Sequence, residues 1–205
     1  MKAKEIVYVV DDDAAMRDSL EFLLASAGFE ARCFESADAF LAAARDDRSA
    51  CVVSDVRMPG KSGVELLDRL KRDGGRCPVI LMTGHGDVPL AVEAMKRGAA
   101  DFVEKPFDDE RLIGAIRAAL AHGASEVPPP PVAPEIAARV ESLSRRERQV
   151  MEGLVAGLSN KTIARDHGIS PRTVEVYRAN VMSKMEAGSL SELVRLGIRA
   201  GVLKS

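Results

Sequence analysis

The 205-residue chain has no apolar run approaching the ~20 residues that a membrane-spanning helix needs. Its first ten residues, MKAKEIVYVV, carry two lysines but pass directly into a short strand-like run. They lack the apolar stretch and small-residue cleavage site of a secretory signal. These absences predict a cytoplasmic protein. Cysteine and histidine are also sparse. The three cysteines, Cys33, Cys51 and Cys77, are odd in number and far apart, and each sits in or beside an apolar run. They read as small core residues and not as a redox or metal site. The three histidines, His85, His122 and His167, have no metal-ligand spacing.

What is present is ordinary globular material. The chain is 46% hydrophobic with a mean hydropathy of -0.04, enough for a core, and its length suits one or two domains. Charge is unevenly placed. Residues 1–134 hold 17 basic and 23 acidic side chains, a net of -6, whereas residues 135–205 hold 12 and 8, a net of +4. An acidic part joined to a basic part implies two tasks, the second of them near a polyanion. Between them lies HGASEVPPPPVAP, residues 122–134. Four consecutive prolines favour extended polyproline II and act as a semi-rigid spacer. The boundaries that follow are 1–122, a linker over 123–134, and 135–205.

In the first part, apolar runs at 5–10, 30–34, 50–54, 77–82 and 101–104 alternate with amphipathic segments at about 14–27, 36–45, 63–72, 88–97 and 108–121. Gly28 and Gly98 stand where helix C-caps belong. Five such units predict an α/β fold, a parallel sheet with helices on both faces. The second part shows no strand pattern. Helices are expected at about 135–141, 145–156, 160–167, 171–185 and 189–200. Ser144 with Glu147 forms a capping-box pattern, Ser159, Ser170 and Ser189 stand at further starts, and Pro171 occupies a first turn. The turn at Gly168 suits a helix-turn-helix.

Open parallel sheets bind ligands beyond the carboxyl ends of their strands. There the first strand delivers Asp11, Asp12 and Asp13, the third Asp55, the fourth Thr83 and the fifth Lys105. Clustered carboxylates bind a hard divalent cation, and Mg²⁺ takes one or two of them together with phosphate. An ammonium and a hydroxyl beside such a metal stabilise a phosphoryl group, and a carboxylate can accept one. Asp55, on the middle strand and outside the acidic run, is the natural nucleophile. Asp13 is better placed to start the following helix.

These residues resemble the receiver domain of two-component response regulators. The matching motifs are the acidic pair, SDVRMPG, MTGHGDVPLAVEAMKRGAADF and EKPF, over about the first 120 residues. The resemblance implies a flavodoxin-like five-stranded sheet in the order 2-1-3-4-5 and a cis Lys105–Pro106 bond. It implies phosphorylation on Asp55, with Mg²⁺ (or Mn²⁺) held by Asp11, Asp12, Asp55 and the main-chain carbonyl of Arg57. Thr83 and Lys105 match the phosphoryl-stabilising positions and Phe102 the switch aromatic. Val92, Lys96 and Asp101 fall on the face through which two receivers would pair. Phosphatases of the haloacid dehalogenase class also form an aspartyl phosphate, but they need a second Asp two residues after the nucleophile. Here that residue is Arg57, which favours a slow switch over an enzyme: the receiver would catalyse only its own phosphorylation and slow dephosphorylation.

In the helical part, Leu143, Val150, Leu154, Leu158, Ile163, Ile169, Val174, Val181 and Met185 supply a core at helical spacing. The helix from Pro171 carries Arg172, Thr173, Glu175, Val176, Arg178, Ala179, Asn180 and Lys184 on its other faces, residue types that read major-groove edges. Lys161, with Ser159, Asn160 and Thr173, can meet phosphates. A helical protein-interaction module with a solvated charged face is the alternative reading of the same composition. Glu175 fits a DNA surface awkwardly, although a glutamate can accept from cytosine. LSRRERQVMEGLVAGLSNKTIA and SPRTVEVYRANVMSKM resemble the LuxR-type helix-turn-helix domain. Together the two domains resemble the NarL/FixJ response regulators and within them the FixJ-like chains. That resemblance implies a FixL-like histidine kinase, double-stranded promoter DNA and RNA polymerase as partners, with no membrane partner. It further implies a homodimer on phosphorylation and pairing on DNA through Leu190, Leu193, Val194 and Ile198.

Overall fold

A computed structural model describes residues 5–43, 50–75, 77–84, 88–123 and 134–202. They form a sheet-based unit and an all-helical unit, and the proline-rich spacer expected over 123–134 lies almost wholly outside the described residues. The sheet contains β1 (Ile6–Val10), β2 (Glu30–Phe34), β3 (Ala50–Asp55), β4 (Val79–Thr83) and β5 (Asp101–Glu104). All pairings are parallel and the order is β2-β1-β3-β4-β5, as expected. β3 is central and buried over its first five residues, so its run reads as nearly continuous apolar sequence.

The intervening helices are α1 (Ala14–Ser26), α2 (Ala37–Ala43), α3 (Gly63–Arg72), α4 (Val88–Lys96) and α5 (Asp109–Gly123). α1 and α5 cover one face of the sheet. There Val7, Val9, Cys51, Val53, Ile80 and Met82 meet Leu20, Leu24, Leu112 and Ile116 in one core. The alternate strand residues face α2 and α3, where Tyr8, Phe34 and Phe40 stack edge to face or tilted at 5.4–6.1 Å. The three cysteines are free, and burial pushes the thiols of Cys33 and Cys51 upward, away from reactivity.

The helix starts explain how the strand ends are held. Asp13 caps α1, its carboxylate accepting from the amides of Ala15 and Met16. Ser62 and Glu65 close a capping box on α3. Gly28 and Gly98 take positive φ (92° and 90°) where the preceding helices stop. Gly63 has a different task. A Cβ there would lie 2.3 Å from the backbone oxygen of Asp55, so α3 starts against the end of β3 only because this residue has no side chain.

The helical unit contains α6 (Pro134–Glu141), α7 (Arg145–Val155), α8 (Asn160–His167), α9 (Pro171–Lys184) and α10 (Leu190–Arg199). α7 to α10 each begin after a serine, at Ser144, Ser159, Ser170 and Ser189, whose side chain accepts from a first-turn amide. Gly168, left-handed at φ 64°, ends α8, and two residues later Ser170 opens α9. Gly153 brings α7 onto Ile163 of α8, and Gly197 brings α10 onto Val155 of α7; a Cβ at either would sit within 2.7 Å of its neighbour. Val150, Leu154, Ile163, Val174, Val181 and Met185 are buried as expected. Leu158 is not: it sits in the turn between Gly157 and the Ser159 cap and stays 38% exposed. No described helix is long and apolar enough to cross a membrane.

Candidate phosphoacceptor site and nucleic-acid interface

Because all five strands are parallel, the carboxyl ends of β1, β3, β4 and β5 share one edge of the sheet, and the acidic site forms there. Asp55 ends β3, Asp11 follows β1 directly, and Lys105 follows β5. The Lys105 Nζ donates to Asp55 Oδ1 at 2.5 Å and to Asp11 Oδ2 at 3.1 Å. Burial pulls this ammonium toward neutrality, but the hydrogen bonds and charges of Asp55 and Asp11 outweigh burial and leave its pKa raised. It is therefore a fixed positive charge between two carboxylates. The bond from Lys105 to Pro106 is cis, as the resemblance implied.

The three aspartates after β1 differ in role. Asp11 is buried, its Oδ1 taking the amide of Asp13 at 2.9 Å and its Oδ2 taking Lys105. Asp13 caps α1. Asp12 is exposed, and its carboxylate has no partner among the described residues. Arg17 fixes the loop from one helical turn away: its Nη1 donates to the carbonyls of Asp11 at 2.8 Å and Asp12 at 3.1 Å. This residue carries no signal in the sequence beyond its spacing of one turn from the acidic run. Asp55 Oδ2 takes the amide of Arg57 at 2.7 Å.

Among the described residues no three acidic, cysteine or histidine side chains are close enough together to encircle a metal. The donors near Asp55 still suit Mg²⁺ in type. Asp12 and Asp55 offer carboxylate oxygens and Arg57 a main-chain carbonyl, a partial all-oxygen shell of the kind magnesium completes with water and phosphate oxygens. Asp11, with both oxygens engaged, is a poorer direct ligand than Asp12.

Thr83 ends β4 and is fully buried, and its hydroxyl has no hydrogen-bond partner among the described residues. A buried hydroxyl without a partner costs free energy, and a phosphoryl oxygen arriving at Asp55 would relieve that cost. Phe102 is buried on β5, beside Leu81 of β4 in register. Of the three residues expected on a pairing face, only Lys96 is exposed. Val92 is buried. Asp101 is buried as well, because its carboxylate takes its neighbour's amide at 2.7 Å and the guanidinium of Arg111 at 3.3 Å.

On the helical unit, Val174, Val181 and Met185 face the core. Arg172, Glu175, Val176, Ala179 and Asn180 are exposed on α9, and Thr173 and Arg178 are half-buried. A shallow depression is lined by Arg172, Glu175, Val176 and Ala179. Lys161 is exposed near the start of α8, and the hydroxyl of Thr173 bonds that of Ser170 at 2.8 Å. Lys184 departs from the expectation. Its Nζ donates to Glu147 at 2.6 Å and to the carbonyl of Ser142 at 3.4 Å, tying α9 to the start of α7. The Lys184 bond and the amide of Ser144 hold the buried Glu147 carboxyl down to about 2. Lys184 thus serves as the counter-ion of Glu147. Leu190, Leu193 and Val194 of α10 are buried, while Ile198 is 39% exposed.

Comparison with known proteins covers both units. Residues 7–117 match the response regulator receiver domain, and residues 141–196 match the luxR family of bacterial regulatory proteins. The chain is 63% identical over 203 residues to the transcriptional regulatory protein FixJ of Bradyrhizobium diazoefficiens, covering 99% of each. It is 59% identical over 196 residues to FixJ of Azorhizobium caulinodans, covering 96% of this chain and 93% of that one. The crystal structure of full-length FixJ from B. japonicum aligns with a TM-score of 0.57 at 61% identity, covering 99% of this chain and all of that one.

Proposed function

Since the chain belongs to the FixJ-like response regulators, joining a receiver domain to a LuxR-type DNA-binding domain, we propose that it is a transcription factor switched by phosphorylation of Asp55. The observation that carries this reading is Lys105 bridging Asp55 and Asp11 at the sheet edge, beside the hydroxyl of Thr83, which has no partner among the described residues.

A histidine kinase of the FixL type presents a phosphohistidine. An oxygen of Asp55 attacks the phosphorus, the P–N bond breaks, and the imidazole leaves with that electron pair. Lys105 already lies on Asp55 and balances the charge that gathers on the phosphoryl oxygens. Asp12, Asp55 and the Arg57 carbonyl, together with Asp11, would hold Mg²⁺ or Mn²⁺, which would supply further charge neutralisation. Thr83 then donates its hydroxyl to the phosphoryl group. Phe102, in the strand beside it, follows, and the surface around Lys96 reshapes so that two receivers pair. Pairing places two α9 helices on neighbouring half-sites of promoter DNA roughly 34 Å apart, from which the dimer meets RNA polymerase. The phosphoryl group acts only through its differential affinity for the two receiver states.

The test is phosphate labelling of the full chain by acetyl phosphate and Mg²⁺, followed by sizing and promoter binding. Labelling is expected in the wild type and not in Asp55→Asn, with dimerisation and tighter DNA binding accompanying it. Equal labelling of the two proteins would reject Asp55 as the acceptor, and equal DNA binding with and without the donor would reject the switch.

A further inference from the structure

Of the three aspartates after β1, two have carboxylates held by the fold. Lys105 and the Asp13 amide hold that of Asp11, and the first amides of α1 hold that of Asp13. The Asp12 carboxylate is exposed and makes no hydrogen bond or ion pair among the described residues. Its placement therefore depends on the main chain that carries it. That main chain lies between two ladders. The Asp11 amide donates to the Phe34 carbonyl of β2 at 3.2 Å, and the helical pattern opens at the Asp13 carbonyl, which takes the Arg17 amide at 3.1 Å. The carbonyls of Asp11 and Asp12 fall between the two, and one atom takes both. Arg17 Nη1 donates to them at 2.8 and 3.1 Å. Two carbonyls converging on one cationic nitrogen fix the peptide between them, and with it the direction in which the Asp12 side chain leaves the loop.

Resting on the divalent-cation reading above, we propose that Arg17 is a positioning residue of the metal site, which clamps the Asp11–Asp12 peptide so that the Asp12 carboxylate is presented to the cation. Groups that orient a metal ligand from behind set affinity without touching the metal. Charge alone gives no reason for an arginine here. Its bonds go to carbonyls and not to carboxylates, and a guanidinium near a divalent cation repels it. The two roles therefore differ in sign. Removing a mere charge would tighten the cation, whereas removing the clamp loosens it. Because one nitrogen serves both carbonyls, a lysine ammonium can take its place, although lysine lacks the guanidinium fork.

The experiment is titration of the full chain with Mn²⁺, free Mn²⁺ being counted by electron paramagnetic resonance, with no phosphodonor present. The site followed is the one that Asp12→Asn abolishes. Arg17→Met keeps the stem and removes the donors, and it is expected to weaken Mn²⁺ about tenfold or more. Arg17→Lys is expected to restore most of the affinity. A thermal melt in chelator shows that each protein is folded. If Arg17→Met is not, Arg17→Gln replaces it, since its amide ends two bonds short of Nη1 and the same weakening is expected. Unchanged or tighter Mn²⁺ binding in the folded variant overturns the proposal and leaves the metal reading intact. So does a lysine variant as weak as the methionine one. A wild type that binds no Mn²⁺, or whose site survives Asp12→Asn, overturns both readings.

Discussion

Lys105 reaches Asp55 at 2.5 Å across fifty residues of sequence, and the same ammonium holds Asp11 at 3.1 Å. Asp11 is buried, so removing the ammonium strands a carboxylate as well as stripping the acceptor. Lys105→Met is expected to cost on the order of 2 kcal/mol in the sheet unit and to slow labelling by acetyl phosphate about a hundredfold. Hydrogen exchange of the β1 and β3 amides reports the first effect, and a labelling time course reports the second. A variant that labels at the wild-type rate would remove Lys105 from the chemistry.

The ion pair between Lys184 and Glu147 makes the helical unit sensitive to acid. The Glu147 carboxyl is held at about 2 in the folded state, against an ordinary value of 4.5. A depressed folded value contributes stability above pH 4.5, and this is lost as pH falls toward 2. Glu147→Gln should cost about 2 kcal/mol at neutral pH, and the difference from wild type should shrink below pH 4. Amide exchange in α7 and α9, followed from pH 6 to pH 2.5, measures both. A constant difference across that range would contradict the assignment.

The same pair separates two lysines that look alike in sequence. Lys161 is exposed near the start of α8, whereas Lys184 is committed to Glu147 and Ser142. Lys161→Ala should lower the slope of log affinity against log salt by about one without loss of stability. Lys184→Ala should lower the stability of the helical unit and leave the slope unchanged. Titrations of one promoter duplex at several salt concentrations, with a thermal melt of each protein, distinguish the two.

Gly63 allows the start of α3 to reach Asp55. Gly63→Ala would place a methyl group 2.3 Å from the Asp55 backbone oxygen. No flexible side chain yields there, so backbone must move, at about 1–3 kcal/mol. The acceptor would shift with it. Reduced protection of the β3 amides together with slower labelling is the expected outcome, and wild-type values for both would show that the helix start can relax freely.

The elements were largely legible because their signals are local. Alternating apolar runs, glycines after helices and serines before them place boundaries within a few residues, and parallel order carries Asp11, Asp55, Thr83 and Lys105 to one edge. What sequence could not show depends on partners far along the chain. Lys184 sits on α9 with the right charge for DNA, and only the fold reveals Glu147 thirty-seven residues earlier. Asp101 reads as a surface acid until Arg111 is found against it. Arg17, which clamps the Asp11 and Asp12 carbonyls, resembles any other helical arginine until the loop is folded around it.

Thr83 offers the sharpest separation of stability from switching. Its hydroxyl is buried without a partner among the described residues, so the resting protein carries the cost of desolvating it. Thr83→Val keeps the shape and removes the polar atom. It should stabilise the resting sheet unit by about 1 kcal/mol, seen as slower exchange of the β4 amides. Asp55 and Lys105 remain, so labelling should persist. The labelled variant should nevertheless fail to pair or to gain DNA affinity, because nothing links the phosphoryl group to β4. Loss of stability in Thr83→Val would mean that the hydroxyl is satisfied in the resting protein. Normal pairing of the labelled variant would mean that the switch runs through another residue.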